Sequence, residues 1–315
     1  MSSPSVLSEP LFFGRTFVEK VWGGGRLPVL LDGNPPFPGP VGESWELSDV
    51  PGKETPIRGG VHDGKLLHQV LEEHPRDLLG ESKPDPRGRF PLLVKFLEAE
   101  DRLSVQVHPP DGPLSPNGVG KNEAWAFLET VPGCSVICGL KEDVDLDAFA
   151  KDCAGPEIEV HLRKVEVEAG DLLPVPSGTV HAILPGVVLC EFQQTNDVTF
   201  RIYDWDREGL DGNPRETHRE QALEVMAASQ RPEIGPSFAC PHFSLEKFKV
   251  TDSRTLDPAS RARAVAILGG RGTLSWEGAS RGINTGTVFM LPAASKEVHL
   301  EAVEGSLTVL IGEAL

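Results

Sequence analysis

Leu103-Ser-Val-Gln-Val-His-Pro109 alternates apolar and polar residues as a β-strand does, so Gln106 and His108 leave the same face. Further along, Pro176-Ser-Gly-Thr-Val-His-Ala-Ile183 places His181 just past a turn made by Pro176-Ser-Gly178. One imidazole and one amide oxygen on a strand face, completed by His181 and Glu123 from neighbouring strands, form a candidate metal shell. Two imidazoles and a carboxylate suit zinc or a similar divalent ion, although glutamine is an unusual zinc ligand. Taken singly, His181 reads as a satisfied structural histidine and Glu123 as a solvated surface acid. The gathering of four donors, and the apolar neighbours Ala124, Trp125 and Phe127 that predict a buried Glu123, favour the metal.

Composition narrows the class of protein around that site. With 315 residues the chain can bury a large core in one or two domains, and 33 Gly and 28 Pro predict many turns and short strands rather than long helices. The fold class expected is mainly β with a few short helices. A net charge of −17 argues against nucleic acid or an anionic membrane as partner. An anionic small substrate would require a pocket that concentrates a few of the 30 Lys and Arg. The five cysteines, Cys134, Cys138, Cys153, Cys190 and Cys240, are odd in number and show no C-x2-C spacing, which predicts reduced thiols in a cytoplasmic protein. The N-terminal stretch has neither the basic nor the apolar region of a signal peptide, and no apolar run approaches the ~20 residues of a membrane span. A monomer or weak homo-oligomer is expected.

Local patterns order the elements. Residues 11–60 read as short strands and turns, with Gly23-Gly-Gly25 and the Pro-rich loop 34–40 between them. Leu66, Leu67, Val70, Leu71, Leu78 and Leu79 predict a helix over 64–80, broken near Pro75. Residues 91–97 and 103–108 read as strands, and the polar loop 111–122 delivers Glu123 to another. A short acidic helix is expected from Val144 to Cys153, then strands at 163–167, 171–175, 186–192 and 199–203. Thr217, with Glu220 three residues on, predicts a capped helix over 217–228. Ala264 to Trp276 reads as a hairpin turning at its glycines. Gly286-x5-Pro292 repeats the spacing Gly170-x5-Pro176, but Glu297 stands where His181 would fall, so the turn recurs without its ligand.

Among the charged residues of these strands, Arg201 shares a face with Thr199 and Tyr203, and it pairs with Glu191 or faces the metal cavity to stabilise an oxyanion or phosphate. Lys95 and Lys121 are candidate phosphate ligands or proton carriers, or plain surface charges.

The spacing Gly170-x5-Pro176-x-Gly178-x2-His181 resembles the second motif of the cupin barrels. Over residues 12–207 the chain is similar to the type I mannose-6-phosphate isomerases of the short bacterial form. The resemblance is carried in order by Glu19-Lys-Val-Trp-Gly-Gly24, Gly42-Glu-Ser-Trp-Glu46, Pro91-Leu-Leu-Val-Lys95, Leu103 to Pro109, Gly120-Lys-Asn-Glu-Ala-Trp125, Val175 to Ile183 and Phe200-Arg-Ile-Tyr-Asp-Trp-Asp-Arg207.

That resemblance implies two cupin-like jelly-roll barrels: a metal-binding one over 1–235 with helical insertions, and a degenerate one without metal ligands over 236–315. It implies one Zn2+ held by Gln106, His108, Glu123 and His181, an essential Arg201 with the acidic Glu191, and a sugar-phosphate site near Ser104, Lys95, Lys121, Trp22, Glu43 and Trp45. The implied reaction interconverts mannose 6-phosphate and fructose 6-phosphate through an enediolate, with Lys121, Glu191 and a metal-bound water all open as the base. Another cupin sugar-phosphate isomerase or epimerase, or a non-catalytic sugar-binding cupin, are the alternatives. Leu184-Pro185 departs from the asparagine that many cupins place after the histidine, and the region after 207 is shorter than in the long-form enzymes.

Overall fold

The computed structural model describes residues 7–32 and 37–315, so the Pro-rich loop 34–40 lies partly outside the described residues. The chain runs β1 (Leu11–Phe13), β2 (Thr16–Gly24), α1 (Arg26–Asp32), β3 (Val41–Leu47), β4 (Ile57–Arg58), α2 (Leu67–Glu73), α3 (Pro75–Leu79), β5 (Leu92–Ala99), β6 (Val105–Val107), β7 (Glu123–Thr130) and β8 (Ser135–Leu140). There follow α4 (Leu146–Asp152), β9 (Leu162–Glu166), β10 (Leu172–Val175), β11 (His181–Ile183), β12 (Val187–Gln194), β13 (Phe200–Tyr203) and α5 (Arg219–Val225). The last part is β14 (Ser237–Ala239), β15 (Phe243–Val250), β16 (Ser253–Leu256), β17 (Arg263–Trp276), β18 (Ala279–Asn284), β19 (Val288–Leu291) and β20 (Val298–Ala314). The fold is mainly β with few, short helices.

The strands form three sheets in open order. The six-stranded sheet, β10-β7-β12-β5-β3-β2, is the middle layer. On one face Val94, Phe96, Ala124, Ala126, Cys190 and Phe192 pack with Leu245, Ala264, Met290 and Leu310 of the nine-stranded sheet. On the other, Leu97, Trp125, Phe127 and Leu189 pack with Val136, Cys138 and Ile183 of the five-stranded sheet, β13-β6-β11-β8-β9. β5 and β12 are buried along their whole length, which is why they read as continuous apolar runs rather than as alternation. The five-stranded sheet is covered outside by Phe149 of α4, Ile158 of a 3₁₀ turn, and Ala222 and Val225 of α5.

β1 and β4 join the nine-stranded sheet, where Leu11 pairs with Met290 of β19, so the N-terminal chain crosses the division expected at residue 235. Gly170 and Gly286, the repeated glycines, both have left-handed φ (97° and 87°) and each leads into a strand. Glu297 is exposed beyond the second.

Three local expectations are corrected. Residues 264–276 are not a hairpin but one strand, β17. Its glycines make bulges opposite β20, and the turn lies later, at Glu277-Gly278 before β18. The helix expected over 217–228 is shorter, and His218 rather than Thr217 stands at its N-cap, without a side-chain cap bond. Helix α1 was not anticipated. Its cap is the buried Glu98, seventy-two residues away, whose Oε2 accepts from the N–H of Arg26 (2.8 Å) and Leu27 (2.9 Å).

Candidate active site

The pleat of the middle sheet puts odd-numbered residues of β3, β5, β7 and β12 on the face toward the five-stranded sheet. Cross-strand register then builds one row: Trp45 opposite Lys95, Lys95 opposite Glu191, and Glu191 opposite Trp125. Lys95 Nζ lies 2.8 Å from Glu191 Oε2 and 5.1 Å from the Trp45 ring centroid. Burial opposes the charge of Lys95, yet Glu191, Glu43 and Asp197 together raise its pKa. Glu43 is likewise pushed up by burial but drawn below its usual range by Lys95 and Lys20.

Facing this row, β6 lies between β11 and β13, so Gln106 has His181 opposite on one side and Arg201 on the other. His108 follows at the end of β6. Its Nδ1 donates to the carbonyl of Val198 (2.9 Å), and that of His181 donates to the carbonyl of Thr179 (2.8 Å). Both Nε2 atoms therefore carry lone pairs toward Glu123, which lies 3.4 Å from His108 and 3.6 Å from His181. Burial holds both imidazoles neutral, His108 down to about 4 with the Lys121 ammonium adding to the effect. The Gln106 amide nitrogen is 3.1 Å from His181 Nε2, and Ser104 Oγ donates to the Gln106 oxygen at 3.3 Å. Burial works against ionised Glu123, but Lys121, with Nζ at 2.5 Å, holds the carboxyl well below the usual carboxylate range. Lys121 Nζ also lies 2.9 Å from His108 Nε2.

The donor atoms of His108, Glu123 and His181 all lie within 4.8 Å of one another, and all three residues are buried. Separations of 3.4 and 3.6 Å are of the order a tetrahedral ion with bonds of ~2 Å demands, so these residues fit a divalent cation.

Above the donors opens a cavity of about 270 Å3. Trp22, Glu43, Lys95, Ser104, Gln106, Lys121, Glu191 and Arg201, all singled out in the sequence, line it; His108, Glu123 and His181 lie behind its wall. Arg201 is half-buried; its Nη1 donates to the carbonyl of Glu216 (2.7 Å) and its Nε is buried without a partner. Burial and the nearby Arg215 lower its pKa. The Glu191–Arg201 ion pair considered from their spacing is not formed, because β12 sets Glu191 against Lys95. Tyr203 also leaves the face of Arg201: the β13 register shifts between them, and Tyr203 turns into the core beneath the helices.

Sequence reading missed Lys20, Asp197, Arg215 and His218 in the wall, while Thr199 was read there only as sharing the face of Arg201. Lys20 alternates with Trp22 on β2 and was legible on that ground. Arg215 and His218 arrive by a loop that no periodicity marks. Trp125 was read only as an apolar neighbour, but its Nε1 donates to both Glu123 Oε1 (3.1 Å) and Glu191 Oε1 (3.3 Å).

Fold and site together define a class: mainly β proteins with a buried two-histidine, one-carboxylate donor set beneath a polar cavity, suited to metal-assisted chemistry on a small polar molecule. Comparison narrows the class. Residues 11–123 match the family model described as phosphomannose isomerase type I, catalytic domain. The chain is 32% identical over 304 residues to a mannose-6-phosphate isomerase of Streptococcus mutans, covering 92% of this chain and 94% of that one. It is 32% identical over 311 residues to one of Bacillus subtilis, covering 93% and 96%. The crystal structure of mannose 6-phosphate isomerase from Bacillus subtilis superposes with a TM-score of 0.85 at 27% identity, covering 96% of this chain and 99% of that one. The chain belongs to the type I phosphomannose isomerase family.

Proposed function

We propose that this chain interconverts mannose 6-phosphate and fructose 6-phosphate through an enediolate, with one divalent ion, Zn2+ by donor type, held by Gln106, His108, Glu123 and His181. The observation that carries the reading is the convergence of two neutral imidazole nitrogens and an ionised carboxylate against Gln106 and Lys121, which line a cavity with five cationic side chains in its wall. When bound, the ion supplies Lewis-acid polarisation of the sugar's O1/O2 region. The rest falls to the chain's own side chains. Arg201, beside Gln106 in register, stabilises negative charge developing on the substrate oxygen. Glu191, paired with Lys95 and facing the cavity, takes the proton from one carbon and returns it to the other. Lys121 donates to the substrate oxygens from the metal side. Trp125, bonded to both Glu123 and Glu191, keeps the ligand and the base in fixed relation. Trp22, Glu43, Lys95 and Ser104 shape the walls that hold the sugar phosphate.

The chain divides, in this reading, into a metal-binding unit over 1–235 and a metal-free unit over 236–315, with β1 and β4 lent to the latter's sheet. The test is a coupled assay of mannose 6-phosphate conversion on protein stripped by chelator and re-supplied with zinc. Activity lost and then restored is the expected result. Stoichiometric metal without conversion would move the substrate to another sugar phosphate, and full activity in the stripped protein would remove the metal.

A further inference from the structure

The stretch Phe200-Arg-Ile-Tyr-Asp-Trp-Asp-Arg207 enters the chemistry above only through Arg201. Its remainder builds a second feature. Asp204 is buried and accepts from Arg215 through both oxygens, Nε to Oδ2 at 2.7 Å and Nη2 to Oδ1, while Arg207 Nη2 donates to Oδ1 at 3.1 Å. Asp204 thus holds two guanidinium groups, of which Arg207 also reaches Asp101 (3.0 Å), and Arg201 next to them donates to a carbonyl rather than an acid. Of the two arginines that line this end of the cavity, Arg201 has no carboxylate in hydrogen-bond contact and Arg215 shares its carboxylate with Arg207. Elsewhere in the wall the cations are matched: Lys95 with Glu191, Lys20 with Glu43 and Lys121 with Glu123.

Arg215 lines the cavity while Asp204 takes the Nε and Nη2 side of its fork, leaving the two N–H groups of Nη1. A guanidinium clamped on one edge by a carboxylate is preorganised to offer its other edge. The backbone is bent to achieve this. Trp205 and Asp206 sit at left-handed φ of 61° and 55°, which non-glycine residues adopt only against a penalty. Trp205 Nε1 donates to the Leu103 carbonyl (2.7 Å) and Tyr203 OH to Asp206 (2.8 Å), pinning the turn. The chain then folds back, with Glu208 bridged to Pro214, and brings Arg215 over Asp204.

Position completes the argument. Gln106 pairs with Arg201, and the His218 N–H donates to the Arg201 carbonyl (2.7 Å), so the segment 215–218 is the next step outward from the donor set. Two strand spacings, roughly 10 Å, separate its backbone from that of Gln106. A hexose 6-phosphate with C1 and C2 over the donors is long enough to reach this end with its phosphate.

We propose that Arg215, aimed by Asp204, receives the phosphate of the substrate and sets the preference for phosphorylated over free hexose. Arg215 is the binding residue and Asp204 a positioning residue. The inference rests on the sugar-phosphate reading, but its test needs no turnover. Inorganic phosphate, titrated calorimetrically into the zinc-loaded protein, is expected to bind roughly tenfold or more weakly to Arg215→Gln, with zinc content unchanged. In the wild-type protein, phosphate is expected to protect Arg215 from phenylglyoxal, mapped by peptide mass spectrometry. Unchanged phosphate affinity in a folded variant, or equal modification with and without phosphate, overturns the proposal. Should the variant not fold, the protection experiment decides alone. Phosphate bound at Arg215 in a protein that converts no mannose 6-phosphate would sustain this inference and remove the functional reading; conversion with an indifferent Arg215 would do the reverse.

Discussion

Arg201 shows how strand register assigns chemistry to a single side chain. It sits beside Gln106, half-buried, with one guanidinium nitrogen on a carbonyl and Nε without a partner. The proposed role for a cation so placed, outside the donor set, is to act on charge that forms in the substrate rather than on the ion. Arg201→Ala is therefore expected to lower kcat by roughly 10²–10³-fold while retaining stoichiometric zinc. Steady-state kinetics paired with metal analysis checks this, and near wild-type turnover would remove the role. The donor residues were legible because a two-residue strand period needs no partner strand to be recognised: Gln106 and His108 share a face in any sheet. Glu191 was legible as a buried acid but not as a partner of Lys95, because that pairing depends on which strand lies beside β12.

Among the elements, α1 and β17 mark where local pattern stops. Helix α1 begins on a carboxylate from β5, so no residue near Arg26 announces it. Glu98→Ala removes that cap and leaves two N–H groups unmet, with an expected loss of about 1–2 kcal/mol in denaturant-induced unfolding. A change under a few tenths would mean that another acceptor replaces it. In β17 the run Gly269-Gly-Arg-Gly272 has turn composition, and sequence alone reads a turn. The structure uses Gly270, at φ 91°, to let the strand bulge where a Cβ would come within 2.1 Å of the Ser306 carbonyl oxygen. Composition marks a break in regular pairing in both cases; only the long partner β20 decides that the chain continues. The helix pair at 67–79 was readable, because its apolar spacing and Pro75 are local signals.

At the scale of the molecule, the middle sheet carries the row from Trp45 through Lys95 and Glu191 to Trp125 on one face and rests on the nine-stranded sheet with the other. The contact is close: a Cβ at Gly312 of β20 would meet the Phe192 ring at 2.8 Å. Phe192 directly follows Glu191, so pressure there reaches the proposed base through one peptide unit. Gly312→Val is expected to destabilise the fold by about 1–3 kcal/mol and to lower kcat although no substituted atom touches the cavity. Thermal melting with kinetics on the same samples reads both. An unchanged melting temperature would show that the layers yield.

The pairing of Leu11 with Met290 bears on how the chain is made. During synthesis β1 can pair with β4 early, but its other edge must wait for β19 while most of the polypeptide emerges. The nascent chain thus carries an apolar Leu-Phe-Phe segment with one strand edge open until β19 is made. Completion of the nine-stranded sheet is a late event that ties residues 11–13 and residues 288–291 into one cooperative unit.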